Sequence, residues 1–137
     1  MKKYNITVVY DKTEKKVLMC KRAKDPFKGK LNFVGGKVEP NETEEAAAYR
    51  ELFEETGISR EDIILTRVLD FKYYLSEMEL EVFTGKLHYD VELREEINKL
   101  LWVERTENFC DSERFAGNCN IEHILRIIDY HKDKVLK

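Results

Sequence analysis

The chain has 137 residues, 42% hydrophobic and 37% charged, with a net charge of −3. That is the composition of one soluble globular domain, residues 1–137, long enough to bury a core. A mildly acidic chain argues against a nucleic-acid polymer as partner, which calls for a basic face, and no apolar run reaches the roughly 20 residues of a membrane helix.

Met1-Lys2-Lys3 leads into Tyr4-Asn5-Ile6-Thr7 and not into the apolar core of a signal peptide. Cys20, Cys110 and Cys119 are odd in number and widely spaced. They fit neither a disulfide framework nor a zinc knuckle, so they read as packing residues in a reducing cytoplasm.

Tyr4 to Tyr10 is rich in β-branched residues that alternate sides, which predicts a strand. Asp11 to Lys15 is a polar turn, and Lys16 to Arg22 returns as the second arm of a hairpin. A basic loop, Ala23 to Lys30, enters a short strand, Leu31 to Val34, that ends on Gly35-Gly36. Two glycines there allow backbone to approach a ligand closely. Asn41 is the expected N-cap of the next helix, with Glu44 as its capping-box partner. Ala46, Tyr49 and Phe53, widened by Ala48 and Leu52, are its apolar stripe, and Gly57 stops it. Ile63 to Val68, Leu69 to Leu75 and Glu79 to Leu87 are strand-like, with a turn at Ser76-Glu77. His88 to Glu96 is an acidic loop, Lys99 to Val103 a short strand, and Thr106 to Arg114 holds a helical turn. Asn120 to Tyr130 is a second amphipathic helix. Strands, a helix, strands and a helix again make a mixed sheet covered by helices, α/β or α+β.

The chemistry concentrates in Gly36 to Ile58, GKVEPNETEEAAAYRELFEETGI. At about 100° per residue, Glu51, Glu54 and Glu55 cluster on one helix face. Like charges so spaced repel and cost helix stability. A hard divalent cation would compensate them, and Mg²⁺ binds through a few carboxylates plus substrate phosphates. Arg22, at the end of the second strand, and Lys37, after the glycines, are cations placed to meet phosphate oxygens. His88, His123 and His131 have no metal-ligand spacing.

The same stretch resembles the Nudix box at every position: Gly36, Glu42, Arg50, Glu51, Leu52, Glu54, Glu55, Gly57 and Ile58. The resemblance implies an α/β fold, a Nudix-type α/β/α sandwich with a central mixed β-sheet. It implies a hydrolase that attacks a nucleoside diphosphate linked to a further group, with Mg²⁺ or Mn²⁺ as cofactor. Glu51, Glu54 and Glu55 become the metal carboxylates and the carbonyl of Gly35 a further oxygen ligand. Arg50 becomes a structural residue that pairs with Glu42 and orients Glu51. A loop acid serves as general base. By analogy with relatives it is Glu96, six residues before Trp102, with Glu92 and Glu95 as rivals.

Leu31-Asn32-Phe33-Val34-Gly35-Gly36-Lys37-Val38 further resembles the W-N-x-x-G-G-K-V segment of oxidised-purine nucleoside triphosphatases, with Leu31 in place of the tryptophan. Asn32 then reads the base, since an amide offers both donor and acceptor. Its alternative is a residue bonded to its own backbone. A second amide comes from Asn118 or Asn120, and for Asn120 an N-cap role competes. A nucleotide such as 8-oxo-dGTP, cleaved to monophosphate and pyrophosphate, is the leading substrate. Dinucleoside polyphosphates are the alternative that Tyr73 and Tyr74 suggest. ADP-ribose is disfavoured, because no proline follows Pro40. A non-catalytic nucleotide-binding module would be expected to lose box carboxylates, and none is lost.

Overall fold

The computed structural model describes residues 1–137. Seven strands and three helices follow in the order β1 (Lys2–Tyr10), β2 (Lys16–Lys21), β3 (Leu31–Asn32), β4 (Val34–Lys37), α1 (Glu44–Thr56), β5 (Thr66–Tyr73), β6 (Met78–Lys86), β7 (Lys99–Glu104), α2 (Asn120–Tyr130) and α3 (Lys132–Val135). The seven strands form one mixed sheet. β1 is its axis, parallel to β6 along its whole length, from Lys2↔Met78 to Tyr10↔Lys86. Side chains alternate across β1. Val8 and Tyr10 enter a core with Ile121, Ile124, Leu125 and Ile128 of α2. Val9 enters the opposite core with Ala48 and Leu52 of α1. Helices thus cover both faces, as the α/β/α expectation requires.

Several boundaries differ from the sequence reading, each for a local reason. β1 and β2 pair in register only at Tyr10↔Val17. The rest of that edge of β1 is taken by β4, from Tyr4↔Lys37 to Thr7↔Val34. The single strand expected over Leu31 to Val34 therefore changes partner at Phe33: β3 pairs with β2, and β4 with β1. The two stretches expected around Val68 and Leu69 are one strand, β5, with a register shift between Arg67 and Leu69. Ile63 and Leu65 lie before it, buried against α1. Thr106 to Arg114 makes successive turns rather than a helical segment.

Helix α1 starts two residues later than expected. Thr43, not Asn41, is the N-cap, and its hydroxyl accepts the amide N–H of Ala46. Glu44 is drawn away by Lys3, 2.5 Å from its carboxylate, so it caps nothing. The buried face is also rotated: Ala47, Ala48, Leu52 and Thr56 are buried, whereas Phe53 is 46% exposed. Gly57 ends the helix as expected, at φ 81°, with its N–H on the Phe53 carbonyl. Asn120 is the first residue of α2, whose N-cap is Cys119, without a side-chain bond.

Cys110 and Cys119 are joined in a disulfide, with Cα atoms 4.2 Å apart. The packing role read for these two cysteines is therefore corrected. Turns at Asn108 and Asp111, and a bridge of Phe115 to Leu31, fold the intervening chain back so that positions 110 and 119 meet. Cys20 is free and buried. No helix is long and apolar enough to cross a membrane.

Candidate active site

The site is assembled where β4 passes beneath α1. Gly35 and Gly36 let the two approach. A Cβ on Gly35 would overlap the carbonyl of Asn5 on β1, and one on Gly36 would overlap the carboxylate of Glu51. Glu51 therefore lies flat against the strand. Glu55, one turn on, receives the Gly35 N–H on Oε2 at 3.3 Å.

Arg50 organises the acids around it. Its Nε and Nη2 donate to the two oxygens of Glu42 at 2.9 and 2.6 Å, a forked contact. Its Nη1 donates to Glu51 at 3.0 Å and to Glu54 at 3.2 Å, and Nη2 also reaches the Lys37 carbonyl at 3.1 Å. One guanidinium thus ties the loop before α1 to its carboxylate face, the pairing with Glu42 and Glu51 expected from sequence. The same bond holds the Glu42 carboxyl below its usual range.

The remaining acids carry unrelieved charge. Burial, and then the charge of Glu51, push the Glu55 carboxyl up to about 7, against the pull of the Gly35 N–H and of Arg22. Burial likewise raises Glu51, opposed by Arg50. No three His, Cys, Asp or Glu side chains converge as a ready metal cage. Glu51, Glu54 and Glu55 border one cleft of about 370 Å³ without closing on a common point. Arg50 holds Glu51 and Glu54, while Glu55 is held by the Gly35 N–H. The donors nonetheless fit a hard divalent cation. They are carboxylate oxygens, one of them buried at a cost that a positive charge would relieve, beside the two glycines of β4.

The loop acids separate cleanly. Val91 and Leu93 pack into the core on the α1 side, so Glu92 between them faces outward. The Glu95 carboxylate accepts the amide N–H of Leu100 at 2.7 Å and is committed to the start of β7. Glu96 borders the carboxylate cleft, and with Glu55, Asn98 and Leu100 it also lines a smaller cavity of about 60 Å³.

Asn32 pairs in register with Cys20 and so faces the α1 side, as Glu55 does. Its amide oxygen accepts the N–H of Phe33 at 2.8 Å, which leaves its NH₂ and one lone pair of the oxygen for a ligand. Arg22 folds onto its own loop, Nε to the Pro26 carbonyl at 2.7 Å, yet remains near enough to Glu55 to lower its carboxyl. Lys37 is exposed and forms no ion pair within 4.0 Å. Asn118 sits in the left-handed region at φ 48°, between Gly117 and Cys119 in the same region. The bridge from Leu31 to Phe115 carries this segment alongside β3, but no hydrogen bond links Asn118 to Asn32. Tyr73 and Tyr74 lie at the β5–β6 turn and border none of the cavities beside the carboxylates. Sequence reading missed Phe53, Arg94 and Ile97, which line the cleft. The signal for the loop was the apolar alternation of Val91 and Leu93, which marks an anchored segment rather than a mobile one.

Residues 1–118 match the family model described as NUDIX domain, a match that ends just before α2. The 8-oxo-dGTP diphosphatase of Escherichia coli is 39% identical over 75 residues, 53% of this chain and 58% of that protein. The ADP-ribose pyrophosphatase of Methanocaldococcus jannaschii is 49% identical over 45 residues, 33% of this chain and 27% of that protein. The aligned stretches thus span less than two thirds of either curated relative. A C. elegans Ap4A hydrolase in binary complex has the same fold, with a TM-score of 0.75 at 20% identity over 97% of this chain and 98% of that one.

Proposed function

The chain belongs to the NUDIX domain family, and from that membership we propose a divalent-metal-dependent hydrolase of a nucleoside diphosphate linked to a further group. The substrate we assign is a purine nucleoside triphosphate, oxidised as in 8-oxo-dGTP, cleaved to monophosphate and pyrophosphate. The observation that carries this reading is the gathering of Glu51, Glu54, Glu55 and Glu96 around one cleft, with the paired glycines Gly35 and Gly36 packed against the carboxylates. The similarity to the E. coli enzyme supports the choice of substrate.

Glu51, Glu54 and Glu55, with the carbonyl of Gly35, would hold Mg²⁺ or Mn²⁺. Bound there, the ion would neutralise phosphate charge and lower the pKa of water. Arg50 keeps Glu51 and Glu54 turned to the cleft. Glu96 forms no hydrogen bond or ion pair of its own and borders the cleft with Glu55, which suits it to take the proton of the attacking water. As that water's oxygen bonds to phosphorus, the bond to the leaving pyrophosphate breaks. Arg22 and Lys37 meet the phosphate oxygens, and the NH₂ groups of Asn32 and Asn118 meet the base. Little covalent chemistry falls to the protein, so positioning and charge carry the rate.

The test is a panel with purified protein and Mg²⁺: 8-oxo-dGTP, dGTP, other nucleoside triphosphates, ADP-ribose and diadenosine tetraphosphate, with products resolved by chromatography. Pyrophosphate release with preference for 8-oxo-dGTP over dGTP is expected. Preference for ADP-ribose or the dinucleotide would replace the assigned substrate. Glu54→Gln separates an enzyme from a binding module: an enzyme should lose at least about a hundredfold in turnover, whereas a binding module should lose little of its affinity.

A further inference from the structure

The cleft beside the carboxylates contains one cation that the mechanism above does not use. Arg94 is the only basic residue among its lining side chains, against four acids. No carboxylate lies within 4.0 Å of it, although Glu51, Glu54, Glu55 and Glu96 share the same space. Its backbone is fixed: the Arg94 N–H donates to the Thr56 carbonyl at 2.8 Å, and Leu93 before it is packed in the core. The absence of a side chain on Gly57 leaves room for it, since a Cβ there would come within 3.3 Å of the Arg94 Cβ. The guanidinium lies over the half-exposed ring of Phe53, 5.2 Å from its centre. Its one hydrogen bond, to the Phe53 carbonyl, is long at 3.5 Å. Most of its five N–H donors are therefore unspent.

The order of groups across the site gives this cation a direction. Asn98 accepts the N–H of Ala23, next to Arg22, and shares the smaller cavity with Glu55 and Glu96. Glu55 and Glu96 in turn border the larger cleft with Glu51, Glu54 and Arg94. Arg22 is thus linked through Ala23 and Asn98 to the smaller cavity, Arg94 lines the larger cleft, and Glu55 and Glu96 border both. A nucleotide with its base toward Asn32 and its reacting phosphorus over the carboxylates extends its free phosphate end toward Arg94.

We infer that Arg94 grips the terminal phosphate of the substrate and so selects a triphosphate over a diphosphate. A guanidinium matches a phosphate with two parallel N–H bonds, and a terminal phosphate is the most highly charged group on the chain. Phe53 holds the guanidinium in place from below. This rests on the hydrolase reading above and assigns its leaving-group end. Arg94 also lies at the C-terminal end of α1, where a cation favours the helix. A residue serving only that purpose would affect every substrate alike.

The test compares wild type, Arg94→Ala and Arg94→Lys with a nucleoside triphosphate and the diphosphate of the same base, and measures inhibition by inorganic pyrophosphate and by the nucleoside monophosphate. For Arg94→Ala, KM for the triphosphate and the inhibition constant of pyrophosphate should each rise about tenfold, the worth of one charge-assisted contact. The KM of the diphosphate and the inhibition constant of the monophosphate should stay within about twofold, and Arg94→Lys should recover part of the loss. Equal losses on both nucleotides, or unchanged inhibition by pyrophosphate in an active Arg94→Ala variant, would overturn the inference and leave the hydrolase reading standing. A wild type that hydrolyses neither nucleotide would overturn both.

Discussion

Burial pushes the Cys20 thiol up to about 11, because an anion there would lose its water and face the charge of Glu55. At pH 8 this sulfur is a protonated, buried hydrophobe beside the Phe33 carbonyl. Since Cys110 and Cys119 are bonded to each other, the native chain should release no colour from Ellman's reagent. One thiol should react in urea without reductant, and three after reduction. Rapid reaction of the native protein would contradict the burial, and three thiols in urea alone would contradict the disulfide. Glu81 is a second residue whose surroundings work against its charge. It is 2% exposed, with Arg67 at 3.1 Å and Lys3 at 4.0 Å, and burial still raises its carboxyl above the ordinary value. The folded state therefore binds this proton more tightly than the unfolded chain does. Below the unfolded value the two states are equal in this respect. As pH rises toward the folded value and beyond, ionisation costs the folded state stability. Glu81→Gln should accordingly match wild type near pH 4 and melt a few degrees higher at pH 7. A gap that stays constant or reverses with pH would show that Arg67 and Lys3 outweigh the burial.

At the scale of elements, the meeting of β4 and α1 rests on two adjacent glycines with different duties. Gly35 faces backbone, the carbonyl of Asn5, which belongs to the paired strand β1 and cannot yield. Gly36 faces the end of a side chain, the carboxylate of Glu51, which can swing aside. Gly35→Ala should therefore destabilise the fold by about 2–3 kcal/mol, as overpacking does. Gly36→Ala should change stability little but displace Glu51, with a loss of turnover of about a hundredfold. Denaturant melts and steady-state rates on both variants decide the matter, and the same ratio of the two effects in both would refute the assignment. The box motif made this junction legible, because Glu51, Glu54 and Glu55 share a face wherever a helix forms, with Arg50 on the next face round. Strand pairing was not legible. That β4 would displace β2 from β1 depends on Gly35 tolerating contact with Asn5, a long-range fact absent from local periodicity. The cap moved from Asn41 to Thr43 for a similar reason, since Lys3 on another element claims Glu44. The stripe of α1 was misread because Phe53 counts as apolar in any pattern, although here it supports Arg94 at the rim of the cleft.

For the molecule as a whole, two cores on opposite faces of one sheet hold α1 and α2 apart and leave the carboxylate row at the edge between α1 and the Val91–Glu96 loop. The sandwich was legible as an alternation of strands and helices, and the acids as a motif. Among the loop acids, Glu95 is bound to the Leu100 amide and Glu92 is turned outward, which supports Glu96 as the proposed base. The pairing of Cys110 with Cys119 came from the turns between them, which no spacing rule encodes. The carboxylate row also predicts how the whole fold responds to metal. Burial and mutual repulsion work against the charges of Glu51 and Glu55, and Arg50 relieves only part of that. A divalent cation that binds the folded chain alone removes this cost and stabilises by mass action, about 2.7 kcal/mol at a hundred times its Kd. For a chain of this length that is roughly 8 °C in Tm. Calorimetry should therefore show Tm rising with Mg²⁺ or Mn²⁺ well beyond the effect of KCl at equal ionic strength. EDTA should reverse the rise, and Glu54→Gln, an exposed and structurally cheap change, should remove most of it. An equal rise in KCl, or an undiminished rise in Glu54→Gln, would mean that the cation acts on surface charge in general and that the acids of α1 do not form its site.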